Sequence, residues 1–183
     1  FVIMCDRATR YVVLWNLTGK NFGHYEKAFR RGWFRRFGPP RFIVVDAERA
    51  LSFDEFGIWC EAKAIERKIY TAKDDHAALG IINRKCRVFQ RAYPALRDTM
   101  TSIYPNVEPE DIAAELEITM NTQNTYGGKT PQECVTGTLP NDLLMDDWDP
   151  PVGVKEEEFL PFYPMQRARL EARRCHSESV LQE

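Results

Sequence analysis

The sequence has no run of about eighteen uncharged apolar residues and no basic stretch ahead of a hydrophobic one, so neither a membrane span nor a secretory leader is legible and an intracellular protein is expected. Cysteine is sparse: five residues, at 5, 60, 86, 134 and 175, odd in number and far apart, which argues against a disulfide framework and fits ordinary buried thiols in a reducing compartment. Histidine is scarcer still, and His24, His76 and His176 do not pair with cysteines at the spacing a zinc finger needs. There is no internal repeat. At 183 residues, with 44% hydrophobic and 28% charged side chains, the chain can bury one sizeable core plus an appendage.

What is present is distributed unevenly. The formal net charge is -2, but residues 1–105 hold 19 Lys/Arg against 11 Asp/Glu, while residues 106–183 hold 6 against 16. A polyanion is expected to bind the first part.

Residues 1–5 and 11–15 are short runs rich in β-branched and aromatic side chains around a polar turn, and predict a hairpin. The sequence thus opens directly on a strand, which suggests that something upstream is missing. Phe22, Tyr25, Phe29 and Trp33 make one apolar helical stripe over residues 22–36, with Lys27, Arg30, Arg31, Arg35 and Arg36 on the remainder, and Gly38-Pro39-Pro40 ends it. A buried strand over 41–45, an amphipathic helix over 53–63 and a short strand over 65–70 follow; their alternation predicts an α/β sheet with parallel members.

A helix is expected from about residue 78, with Ile82, Cys86, Phe89, Tyr93 and Leu96 on one face and Arg84, Arg87 and Arg91 almost opposite, kinked or ended by Pro94. Helices are further expected over 108–121 and from Thr130-Pro131 to Gly137. Residues 139–154 read as a linker, and 155–183 as a charged tail, helical over 155–176. Trp15, Trp33, Trp59 and Trp148 are expected to fill or cover the core.

Asp46, at the carboxyl end of the 41–45 strand, fits two readings: a catalytic or metal-holding carboxylate, since open α/β sheets present ligands at that edge, or a turn former. Four segments in order add to the first reading. Residues 1–11 (Phe-Val-Ile-Met-Cys-Asp-Arg-Ala-Thr-Arg-Tyr) are similar to an apolar run followed by Asp-x-x-Ser-Arg-aromatic; residues 37–46 (Phe-Gly-Pro-Pro-Arg-Phe-Ile-Val-Val-Asp) to Gly-x-Pro and a strand ending in Asp; residues 76–84 (His-Ala-Ala-Leu-Gly-Ile-Ile-Asn-Arg) to a segment ending Gly-x-x-Glu-Arg, with Asn for the Glu; residues 121–137 to Asn, then Gly-x-(Ser/Thr)-Pro, then Gly. Over residues 1 to about 137 the sequence therefore resembles the integrase catalytic core of retroviruses and gypsy-class long-terminal-repeat retrotransposons.

That resemblance implies a ribonuclease H-like three-layer α/β fold, with a mixed central sheet flanked by helices and lacking its first strand. It also implies DNA integration by metal-dependent phosphodiester strand transfer, with three carboxylates holding two Mg²⁺ or Mn²⁺ ions. DNA (element ends and target) and a second copy of the chain are the implied partners, with no membrane, and the nucleus is the implied compartment.

Two departures bear on activity. The family's first catalytic Asp would precede Phe1, and Asp6, too close to Asp46, reads as a turn residue. Asn83 stands where the family has its catalytic Glu, and a neutral amide is a poorer partner for a divalent cation than a carboxylate. Glu48, Asp74 and Asp75 are the nearby acids that rescue would require. The expectation is an integrase-core domain of residues 1–138 inactive in this chain, with Asp46 as the second family carboxylate and metal ligand, and Arg84, Lys85, Arg87 and Arg91 as nucleic-acid contacts. The alternative is a non-enzymatic, co-opted DNA- or protein-binding scaffold whose acidic 106–183 stretch meets a partner.

Overall fold

Two local constraints set the first turn of the chain. Asp6 accepts from the Thr9 N–H at 2.7 Å and from its hydroxyl at 2.8 Å, and its own N–H donates to the Tyr11 carbonyl at 2.9 Å. Arg10 takes φ of 64° to complete the reversal. Asp6 is thus a turn residue, and it joins β1 (Val2–Cys5) to β2 (Val12–Trp15), which are hydrogen-bonded neighbours.

The computed structural model of the protein describes residues 1–46, 51, 54–70, 76–123, 127–138 and 163–181, with the backbone alone at 46, 70, 76–79 and 163–167. The linker expected over 139–154 and the acids Glu48, Asp74 and Asp75 lie outside the described residues, as does Trp148. Two compact units are formed, one of Phe1–Cys5 with Val13–Cys86, the other of Asp6–Val12 with Arg87–Glu183.

In the first unit, helix α1 runs through three consecutive segments, Phe22–Ala28, a π-helical stretch Phe29–Phe34, and Arg35–Phe37. Asn21 caps its start by accepting from the His24 N–H, and Gly38 at φ of 75° ends it. The π winding has an identifiable cause. Its hydrogen bonds join residues five apart, so Phe29 and Phe34 come into line, and both rings pack on Trp59, with centroids at 5.6 and 5.5 Å. Phe22 and Phe56 complete the cluster, and the Trp59 indole N–H donates to Glu26 at 3.1 Å. Each such ring pair contributes roughly 0.5–1.5 kcal/mol beyond its area.

Helix α2 (Asp54–Glu61) carries Phe56 and Trp59 and connects β3 (Phe42–Asp46) to β4 (Glu66–Tyr70), which pair in parallel from Phe42 opposite Glu66 to Asp46 opposite Tyr70. A strand, a helix and a parallel strand is the arrangement the alternating pattern predicts. Among the described residues the strands form two two-stranded ladders, β1-β2 and β3-β4.

Helix α3 (His76–Ile103) passes without a break through Pro94, against the expectation that proline would kink or end it. Proline removes the hydrogen bond to the Gln90 carbonyl. Both Gln90 and Pro94 are exposed, so water can satisfy that carbonyl while Phe89, Ala92, Leu96 and Met100 stay buried on the opposite side.

In the second unit, α4 (Pro109–Thr122) begins with a capping box between Glu108 and Asp111 and buries Ile112, Ala113, Leu116 and Met120. Helix α5 (Pro131–Thr136) has Thr130 as N-cap, proline in its first turn and Gly137 at φ of 72°, all as the sequence predicts. The Thr130 N–H and hydroxyl together hold the Glu133 carboxyl below the ordinary carboxylate range.

The expected tail helix is present where it is described, and it runs beyond residue 176. It is α6, Tyr163–Leu181, while residues 155–162 lie outside the described residues. It packs along α4, burying Ala168, Ala172, Cys175 and Ser179, and Arg169 forks onto Glu115 at 3.2 and 3.4 Å. Cys60 and Cys175 are buried and burial raises both thiols, but Cys134 is exposed, so the expectation of buried thiols fails there; no disulfide joins any of the five.

Gly32 lets α1 approach the hairpin. A Cβ there would meet Met4 Cε at 2.9 Å and Trp15 Cε3 at 3.3 Å. Overpacking costs about 1–3 kcal/mol, whereas replacing a helical glycine by alanine returns about 1 kcal/mol. Gly32→Ala should therefore stay within about 1 kcal/mol of the parent, because Met4 can move its methyl, while Gly32→Leu should lower the melting temperature sharply; calorimetric melts of the two variants check this.

Candidate functional site

The residues singled out by sequence fall on two elements of the α/β scaffold. Asp46 is the last residue of β3, paired across the ladder to Tyr70 of β4, so its backbone occupies the carboxyl edge of a parallel pair. Asn83 lies on α3 and is exposed.

Among the described residues no three His, Cys, Asp or Glu side chains gather as a metal site would require. The donors at the two positions are one carboxylate and one neutral amide. Hard divalent cations want several carboxylate oxygens, so this pair does not fit a two-ion centre.

Downstream of Asn83 the helix separates its cations by face. Arg84, Arg87 and Arg91 fall at i, i+3 and i+7, and all three are exposed. Arg91 also reaches the Ser179 carbonyl, at 3.5 Å. Lys85 is different. It is only 4% exposed, on the stripe that continues through Phe89, Ala92 and Leu96, so its ammonium is not presented with the three arginines.

Asn121, the first residue of the fourth motif, is 2% exposed and does structural work. Its Oδ1 accepts from the Val12 N–H and its Nδ2 donates to the Val12 carbonyl, both at 2.8 Å. In a strand the N–H and C=O of one residue point the same way, so the amide stands in for a neighbouring strand at a residue that is wholly buried.

Sequence reasoning missed the cations of α1 as a group, having set Lys27, Arg30, Arg31 and Arg35 aside as the remainder of an amphipathic helix. Together with Gly23 and Glu26 they line a concavity of about 320 Å³. The available signal was Phe34, which fits no α-helical stripe through Phe22, Tyr25, Phe29 and Trp33 and fits the cluster only if the helix is wound as π.

No family model and no curated protein matches the chain. Solved structures do. The chain is similar to one in the intasome of simian T-cell lymphotropic virus in complex with PP2A regulatory subunit B56 gamma, at 17% identity and a TM-score of 0.61, over 84% of this chain and 53% of that one. It is similar to the HTLV-2 integrase catalytic core domain in complex with magnesium, at 18% identity, in a trimeric form (TM-score 0.57, covering 73% of this chain and 82% of that one) and in a dimeric form (0.55, 71% and 79%). The chain thus spans about half the length of the intasome chain. The fold is that of the integrase catalytic core, the ribonuclease H-like α/β fold that the four motifs imply.

The Asn121 geometry generates a sharp test. Asn121→Leu leaves two buried backbone groups unsatisfied, a loss of about 2–6 kcal/mol at roughly 1–3 kcal/mol each. Asn121→Asp is isosteric, yet an ionised carboxylate offers the Val12 carbonyl no donor. Burial would raise that carboxyl's pKa, so the variant should be most stable below the raised value, where the protonated acid donates again, and should lose stability as pH rises through it. Denaturant melts against pH would show this, and an Asn121→Asp variant as stable as the parent at neutral pH would contradict the clamp.

Proposed function

We propose, from the integrase-core fold as premise, that the chain is a DNA-binding integrase catalytic core-like domain of a retrotransposon, covering residues 1–138 with 139–154 as linker and the tail beyond, and inactive in strand transfer. The observation that carries the reading is the row Arg84, Arg87 and Arg91 following Asn83 on α3, away from its buried stripe.

Arginines at that spacing on the open side of a helix neutralise phosphates and release counterions, so binding should weaken steeply with salt. Lys85 is left out of the contact set by its burial. Asp46 is retained as the second family carboxylate and Asn83 as the site of the lost Glu. The amide at 83 cannot replace the charge that the family's Mg²⁺ or Mn²⁺ centre needs, so DNA is held without being joined. The family's partners carry over with the reading: element-end and target DNA, a second copy of the chain, and the nucleus as the place of work. No described helix is long and apolar enough to cross a membrane.

The co-opted scaffold remains the rival, with the 106–183 stretch as its partner surface. That surface is already partly used, since Glu115 is taken by Arg169 and Glu171 and Glu178 by Arg174.

Three measurements test the proposal. Calorimetric titration of Mn²⁺ should show no site in the parent, a site in Asn83→Glu, and none when Asp46→Ala is added; a parent that binds Mn²⁺ tightly, or an Asn83→Glu variant that gains nothing, would show that positions 46 and 83 do not form the family's centre. A labelled DNA end incubated with the chain and Mn²⁺ should not be joined to target DNA, and detectable joining would overturn the inactivity. Replacing Arg84, Arg87 and Arg91 by Gln should lower the slope of log affinity against log salt by about 0.9 for each duplex phosphate left without its cation.

A further inference from the structure

The outer side of α1 carries Lys27, Arg30, Arg31 and Arg35 within nine residues, and all four line one concavity of about 320 Å³ with Gly23 and Glu26. On a regular α-helix residues 30 and 35 would diverge around the axis. Here the backbone N–H of Arg35 donates to the Arg30 carbonyl, a bond between residues five apart, so the π winding brings these two arginines into line. The same winding aligns Phe29 and Phe34 against Trp59 on the inner side. The aromatic cluster therefore fixes the helical pitch, and the pitch gathers the cations.

Glu26 is the acid in the lining, and its Oε1 is engaged from two sides, by the Trp59 indole N–H at 3.1 Å and by Arg30 at 3.6 Å. No acid among the described residues pairs with Lys27, Arg31 or Arg35. Like charges at i and i+4, such as Lys27 with Arg31 and Arg31 with Arg35, oppose the helix by roughly 0.2–0.5 kcal/mol each. An anion in the concavity turns that repulsion into attraction.

We infer that this face of α1 is a second nucleic-acid site, in which Lys27, Arg30, Arg31 and Arg35 hold the phosphodiester backbone. The extent of the cation row selects a polymer over a compact anion. The eight steps from residue 27 to residue 35 rise at most about 12 Å at the α-helical 1.5 Å each, and a strand of duplex DNA presents a phosphate about every 3.4 Å along the axis, so about three phosphates fit the row. Its residues are separate from Arg84, Arg87 and Arg91, and it does not depend on how those act.

The test is fluorescence anisotropy with a labelled DNA duplex of about 24 base pairs and a labelled single-stranded RNA of equal length, across a salt series. Lys27, Arg31 and Arg35 are replaced together by Gln, which preserves helix propensity and leaves the Arg30, Glu26 and Trp59 contacts in place. The expected result is a roughly tenfold or greater fall in affinity at about 0.1 M salt and a salt slope lower by about 2–3, from about 0.9 for each duplex phosphate neutralised.

Weaker binding of the duplex alone assigns the site to DNA, and of both probes to any phosphodiester backbone. Weaker binding of RNA alone assigns it to single strands. A variant that keeps the parent's circular dichroism, affinity and salt slope on both probes overturns the inference. Because the Arg84, Arg87 and Arg91 variant is measured in parallel, the two sites fail separately.

Discussion

A buried peptide group has to be satisfied by something, and at Val12 both its N–H and its C=O are met by the side chain of Asn121. Val12 has no exposure, so water cannot serve it. The amide of Asn121 supplies an acceptor and a donor at 2.8 Å each, and it can do so only because α4 delivers residue 121 at its final turn. The caps of α4 at Glu108 and Asp111, the turn built by Asp6 and the fork from Arg169 to Glu115 all support elements that meet this demand. A single neutral side chain thus ties residues 109 positions apart without burying a charge.

Most element boundaries were legible because their causes are local. The hairpin is written in two β-branched runs and an Asp that bonds its own turn; α5 is written in Thr130, Pro131 and Gly137, each acting within a few residues. What escaped depends on distant partners. The π stretch exists because Trp59 and Phe56 lie where Phe29 and Phe34 can reach the cluster, and within residues 29–34 only Phe34, off the apolar stripe, hints at it. Pro94 is a helix breaker by its own chemistry, and only its exposure and that of Gln90 let the helix continue.

The candidate site was legible to a different depth. The motif at residues 76–84 located Asn83 and the arginine row, and the helix keeps Arg84, Arg87 and Arg91 out of its buried stripe as their spacing implies. Lys85, one residue along, turns inward, because neighbouring positions on a helix face directions about 100° apart. Asn121 was marked by a motif, yet its task, bonding the buried Val12 peptide, is visible only once Val12 is beside it. The concavity on α1 needed the structure outright, since it depends on a pitch that composition does not encode.

The packing of α6 on α4 bears on how this protein would have to be handled. Trimming at residue 138 would strip Ala168, Ala172 and Cys175 from α4 and strand the nearly buried Glu115 without its guanidinium. The shortened chain would carry a greasy stripe into water beside an orphaned carboxylate, the two ingredients of poor solubility and self-association. A fragment cut at the last shared motif would therefore tend to self-associate through the uncovered side of α4, although the helix it lacks looks most like a dispensable tail.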